Sequence, residues 1–98
     1  MSLPSLSAFA EQLNTPFRVR LTPEQTFALT LTRTQAHTST PRQEQFSVFF
    51  SGPPDQLLPQ RIYHLEHETL GALDLFLVPI GRDQEGFQYE AVFNRMIS

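Results

Sequence analysis

The chain has no cysteine among its 98 residues, which rules out disulfides, thiolate nucleophiles and every cysteine-held zinc or iron–sulfur centre. Lysine is missing too: all seven basic residues are arginine, at positions 18, 20, 33, 42, 61, 82 and 95. That bias reads as codon usage in a GC-rich genome rather than as a phosphate-binding device. With a formal net charge of −3 and no stripe of arginines, the chain lacks the electrostatic footprint of a nucleic-acid binder. Tryptophan is absent, so nine phenylalanines supply most of the large apolar side chains. The four glycines, at 52, 71, 81 and 86, each fall at an expected turn, and no glycine-rich phosphate loop exists. The longest apolar run, Leu75 to Ile80, is far too short for a membrane-spanning helix. The opening Met1-Ser2-Leu3-Pro4-Ser5 has neither the charged region nor the apolar run of a secretory signal. The expected location is the cytoplasm, or a particle assembled there.

What is present suits one small domain over residues 1–98, able to bury about 65% of its unfolded surface without a staple. Ser5 is suited to cap a short helix over 6–13, with Leu6, Phe9, Ala10 and Leu13 on one face and Pro16 ending it. Two turns are marginal alone, so this helix is expected to plug one end of a sheet structure. Alternation predicts strands over 17–21 (Phe17, Val19, Leu21 inward) and 26–34 (Phe27, Leu29, Leu31 inward). The polar stretch His37 to Glu44, with Pro41, reads as a mobile loop. A strand over 45–51 follows, with Phe46, Val48 and Phe50 on one face and Phe49 on the other. The proline-rich segment Ser51 to Gln60 must be a structured loop.

The block Gln60 to Asn94 predicts three antiparallel strands, over 61–67, 72–79 and 87–94. A turn at Glu68-Thr69-Leu70 sets Leu65 opposite Leu73, Tyr63 opposite Leu75 and Arg61 opposite Leu77. A second turn over Gly81 to Gly86 sets Leu77 opposite Tyr89, Leu75 opposite Ala91 and Leu73 opposite Phe93. Both registers put Tyr63, Leu65, Leu73, Leu75, Leu77, Phe87, Tyr89, Ala91 and Phe93 on one core face, and a slip of one residue would invert it. The opposite face mixes Ile62, Phe76, Val78 and Val92 with His64, Glu66, Asp74, Gln88 and Glu90, more apolar surface than a solvated face needs. The expected fold is mostly β: a small antiparallel barrel or two-layer sandwich of about six strands with a short N-terminal helix. No internal repeat is evident.

Candidate chemistry is sparse. The first register places His64 opposite Asp74, a cross-strand polar pair that would need a placed nucleophile to serve as a catalytic base. Glu66 shares the face of His64, whereas His67 points the other way, so the three do not converge on a metal. His-x-Glu also begins zinc deaminase signatures, but their downstream cysteines are absent. Asp83 and Glu85 suit a polar turn better than a glycosidase pair. No catalytic, cofactor or metal residues are assigned. Leu57 and Leu58 in the proline-rich loop either contact a partner or fold back to seal the core. Phe76 and Val78 are further candidate partner contacts, and Pro79 would blunt a sheet edge.

The stretches Leu58 to His67, Leu70 to Pro79 and Tyr89 to Asn94 resemble a small bacterial family of uncharacterised domains of about this length. They match its Leu-Pro-Gln-x-x-Tyr-x-Leu-x-His, Leu-Gly-x-Leu-Asp-Leu-Phe-Leu-Val-Pro and Tyr-Glu-Ala-Val-Phe-Asn motifs. The helix leading into Phe17-Arg18-Val19 is similar too, so the likeness covers nearly the whole chain. The family has no assigned activity. The resemblance implies an association with phage-tail-like gene clusters, near proteins with a tail-collar domain. The functional expectation is a non-catalytic structural or protein-interaction module, an accessory of a phage-tail-like assembly, contacting another protein or itself. One alternative is a barrel binding a small ligand or sugar, with a cavity lined by Phe46, Phe50, Tyr63 or Tyr89. The other is an enzyme using His64 and Asp74.

Overall fold

A computed structural model describes residues 4–96. One short helix, α1 (Leu6–Ala10), precedes six strands: β1 (Pro16–Thr22), β2 (Gln25–Thr40), β3 (Gln43–Gly52), β4 (Arg61–His67), β5 (Gly71–Asp83) and β6 (Gly86–Met96). All pairings are antiparallel, and the order β1-β2-β3-β6-β5-β4 closes on itself as a barrel. The chain thus makes two consecutive three-strand meanders, β1-β2-β3 and β4-β5-β6. These join where β3 meets β6 and β1 meets β4, and closure removes most free edges.

The helix is shorter than the span 6–13 that periodicity suggested. The hydroxyl of Ser5 accepts from the Ala8 N–H at 3.2 Å, which fixes its start. Past Ala10 the backbone tightens, with Gln12 N–H donating to Phe9 C=O at 2.8 Å. Asn14 then takes a left-handed φ of 66°. Its N–H donates to Leu31 C=O of β2 at 2.7 Å, so the sheet captures the chain before a second turn forms.

Inward residues from every strand fill the barrel, among them Phe17, Val19, Leu29, Leu31, Phe46, Phe50, Leu65, Leu77 and Tyr89, all fully buried. Phe9 closes one end, its ring centroid 5.1 Å from Phe93, 6.0 Å from Phe46 and 6.4 Å from Phe17. Burying a side chain of this size contributes about 1.5–3 kcal/mol, enough to hold so short a helix in place. Leu58 seals the core from the loop between β3 and β4, and its N–H donates to Tyr89 Oη at 2.9 Å.

The β4–β5 register is the one the turn at Glu68–Leu70 sets: Leu65 faces Leu73, Tyr63 faces Leu75 and Arg61 faces Leu77. The β5–β6 register is not. Tyr89 pairs with Pro79 rather than Leu77, and Glu90 pairs with Val78. The hairpin turn is shorter than the expected Gly81–Gly86, because Asp83 already pairs with Gly86. Asp83 Oδ1 accepts from the Glu85 and Gly86 N–H groups at 2.8 and 3.2 Å, an Asx-type closure. A register irregularity between Pro79 and Gly81 absorbs the proline, which cannot donate to a ladder. Pro79 pairs with Tyr89 of β6 on one side and, lying beyond Leu77, has no β4 residue paired with it on the other among the described residues. Up to Pro79 the displacement is an even step, so the core parity there is unchanged, whereas past the irregularity the pairs Gly81↔Gln88, Arg82↔Phe87 and Asp83↔Gly86 are displaced by an odd one.

The segment His37–Glu44 is also not a loop. β2 runs on to Thr40 and pairs with β3 down to Thr40↔Gln43, with only Pro41 and Arg42 left as the turn. The molecule measures 42 Å along its longest axis. Strands β3, β5 and β6 likewise run beyond the expected 45–51, 72–79 and 87–94.

Candidate functional site

The outer surface of β4, β5 and β6 carries the feature that stands out. Ile62 on β4 and Phe76 on β5 are directly paired across the strands. They are 67% and 49% exposed, and Val92 on β6 is 67% exposed. Val78, the next outward residue of β5, is partly buried, and Ile80 is exposed. Single exposed apolar residues are ordinary on a protein surface; here they stand on three neighbouring strands of one face. Of the two loop leucines, Leu58 is core whereas Leu57 is 51% exposed. The structure thus splits a pair that sequence alone left together.

His64 and Asp74 lie on the same outer face, opposite each other, with Nδ1 and Oδ1 2.9 Å apart. Both side chains are well exposed, where an ion pair is worth about 0–1 kcal/mol. Glu66, also outward, accepts from Arg20 of β1 at 3.1 Å, and that guanidinium holds its carboxyl below the usual range. The contact reinforces the short β1–β4 ladder, which comprises only Arg18↔Glu66, Val19↔Leu65 and Arg20↔His64.

His67, by contrast, is turned inward and nearly buried, 4.2 Å from the Phe17 ring between centroids. Its Nδ1 accepts from the Thr69 and Leu70 N–H groups at 3.0 and 3.1 Å, so that nitrogen carries no proton. The proton therefore sits on Nε2, which donates to Thr15 Oγ1 at 2.8 Å, and Thr15 donates on to Gln12 C=O at 2.6 Å. Burial pushes the His67 pKa down. This is a structural histidine tying the β4–β5 turn to the segment after α1. The odd parity it shares with Leu65 was the signal for its inward direction.

Sequence reasoning missed one polar cluster. Ser47, outward on β3 and fully buried, donates to Glu90 Oε2 on β6 at 2.7 Å, and His37 Nε2 on β2 lies 2.7 Å from the same hydroxyl. A serine hydroxyl has one proton, so with that proton on the carboxylate bond His37 Nε2–H must be the donor. The serine is thus the middle member of the chain, not its end. A nucleophile activated by histidine needs the opposite order, with the histidine accepting the hydroxyl proton. The cluster ties three strands together on the outside of the barrel.

The aromatic residues that a ligand-binding interior would need are spent on packing. Phe46, Phe50 and Tyr89 are fully buried and Tyr63 almost so, while Tyr63 Oη donates to Pro59 C=O and Tyr89 Oη accepts from Leu58. An open cleft of about 420 Å³ lies instead on the outer side of β2, lined by Asn14, Thr30, Thr32, Ser51, Pro53 and Glu85 among others. It offers hydroxyl, amide and carboxylate groups but no aromatic ring.

Together these features define a small closed antiparallel β-barrel, plugged by a short helix, with exposed apolar side chains on the outer face of its second meander. The family model described as Domain of unknown function (DUF6916) matches residues 4–93, and the chain belongs to that family. No curated protein and no solved structure matches it. No helix among the described residues is long and apolar enough to cross a membrane.

Proposed function

We propose that this domain is a non-catalytic protein-interaction module whose docking surface is the outer face of β4–β5–β6. The observation that carries the reading is the exposed trio Ile62, Phe76 and Val92 on adjacent strands. Taking such side chains out of water contributes about 25 cal/mol per Å² of apolar area, a return available only from a partner. The His64–Asp74 pair is solvated and hydrogen-bonded to no hydroxyl among the described residues, which favours this reading over the enzyme that would use those two residues. The core packing of Phe46, Phe50, Tyr63 and Tyr89 favours it over the small-ligand or sugar-binding barrel. Leu57 extends the candidate contact surface on the β3–β4 loop, and Val78 extends it along β5.

Following the family resemblance, we place the module as an accessory of a phage-tail-like assembly, acting in the cytoplasm or in a particle assembled there. Light scattering of the protein purified from its native host tests the reading. A complex heavier than the 11.2 kDa chain is expected. A strict, dilution-resistant monomer with no co-purifying neighbour would count decisively against it.

A further inference from the structure

The two meanders are built alike, yet their second hairpins are not. In the first, β2 and β3 are paired from the turn at Thr40↔Gln43 to Thr30↔Ser51. In the second, the β5–β6 ladder runs from Asp83↔Gly86 only as far as Val78↔Glu90. Both strands continue beyond that point. Gly71–Leu77 is paired on its β4 side alone, and Ala91–Met96 on its β3 side alone. The barrel therefore carries a split along one side, bounded by two strand edges that lack a ladder partner among the described residues. Of the core residues beside the split, Leu73 and Phe93 at its open end are 7% and 4% exposed, while Leu75, Leu77 and Ala91 nearer the ladder are 2% exposed or less. The exposed Phe76 and Val92 stand on its two outer lips.

Resting on the interaction reading above, we propose that this split is a strand-addition site: an extended segment of a different protein pairs with the Gly71–Leu77 edge of β5. Unpaired strand edges capture extended chain through main-chain hydrogen bonds, with alternate side chains giving specificity. A segment of about six residues, roughly 20 Å long, matches the edge.

The lips also specify its chemistry. Outward positions of Gly71–Val78 and Glu90–Asn94 are Ala72, Asp74, Phe76, Val78, Glu90, Val92 and Asn94, which include no lysine or arginine and two carboxylates, Asp74 beside His64 and Glu90 accepting from Ser47. A segment alternating apolar residues with lysine or arginine complements that wall. A second copy presenting the same wall would set Asp74 against its own counterpart, so the occupant is a basic, apolar strand from another protein.

The test uses the full chain and a short capped peptide alternating valine and lysine, followed by amide hydrogen exchange and NMR shifts. Exchange in Gly71–Leu77 is expected to slow by roughly tenfold or more at saturating peptide, while a valine–glutamate peptide has no effect. Asp74→Lys should reverse that preference while leaving the barrel folded, because Asp74 is exposed. A third peptide, N-methylated on alternate backbone nitrogens, cannot form the ladder and should not bind. Equal binding of that peptide, with shifts at Ile62, Phe76 and Val92 but unchanged exchange in β5, overturns strand addition and leaves the interaction reading standing. No binding of the valine–lysine peptide at millimolar concentration overturns strand addition as well. Failure of the interaction reading itself would show separately, as a protein that has no partner in its host.

Discussion

His67 donates through Nε2 to Thr15 Oγ1 at 2.8 Å, a bond that joins the end of β4 to the chain just after α1. With Nδ1 also occupied by two backbone N–H donors, the ring is held neutral in one tautomer. Protonation would set an N–H against those donors.

The sign of the pH dependence follows. The His67 pKa is lowered by burial, whereas an unfolded chain titrates near about 6.5. Below that value the unfolded state binds more protons, so this contribution to stability is full above about pH 6.5 and is lost as pH falls toward the folded-state value. Urea unfolding from about pH 8 to about pH 5 should show the decline, and His67→Gln should flatten it while costing about 1–3 kcal/mol at the upper end. An unchanged slope in the variant would show that another group is responsible.

Phe9 holds α1 on the barrel through Phe93, Phe46 and Phe17. Phe9→Ala should cost about 3–5 kcal/mol, a large part of the roughly 5–15 kcal/mol typical of a domain. Denaturant midpoints measure it. A loss below about 1 kcal/mol would mean that the end of the barrel closes without the helix.

Tyr89→Phe keeps the ring in the core but strips the acceptor from the Leu58 N–H. The expected cost is about 1–3 kcal/mol, from a buried donor left unsatisfied. Faster exchange of the Leu58 amide should accompany it, since the β3–β4 loop loses its anchor. Unaltered exchange at Leu58 would contradict this assignment.

Two glycines with positive φ should respond differently to alanine. Gly86, at φ 136°, sits where a Cβ would collide with the Gly52 carbonyl oxygen. Gly71, at φ 80°, has open space around it. Gly71→Ala should cost only the backbone strain, about 1 kcal/mol, and Gly86→Ala about 3 kcal/mol or more. Thermal unfolding of the two variants reads the difference, and similar losses would place the hairpin strain wrongly.

Much of the second meander was legible in the sequence because its turn residues and period-two alternation agree. The β4–β5 register, and with it the juxtaposition of His64 and Asp74, follows from one tight turn before Gly71. The β5–β6 register was displaced because Asp83 closes the turn with its own side chain, a shortening that alternation does not record. Residues 37–40 read as loop because they lie beyond the core, where no buried face imposes apolar alternation, yet the β3 partner still supplies a ladder. The Ser47–Glu90–His37 cluster depends on β3 lying beside β6, a pairing of distant segments that no local pattern encodes. For the same reason the split between β5 and β6 was invisible: the strand pattern continues through Phe76 and Val92 although the ladder does not.

The most direct measurement compares the wild-type chain with an Ile62→Ser/Phe76→Ser/Val92→Ser variant as tagged baits in the native host, with bound proteins identified by mass spectrometry and both baits checked by thermal unfolding. All three side chains are exposed, so the variant should fold as the wild type does. The expected result is a defined partner held by the wild-type chain and lost from the variant, with unfolding temperatures unchanged. The same partner recovered in equal amount on both baits, or none on the wild type, would contradict a docking surface on β4–β5–β6.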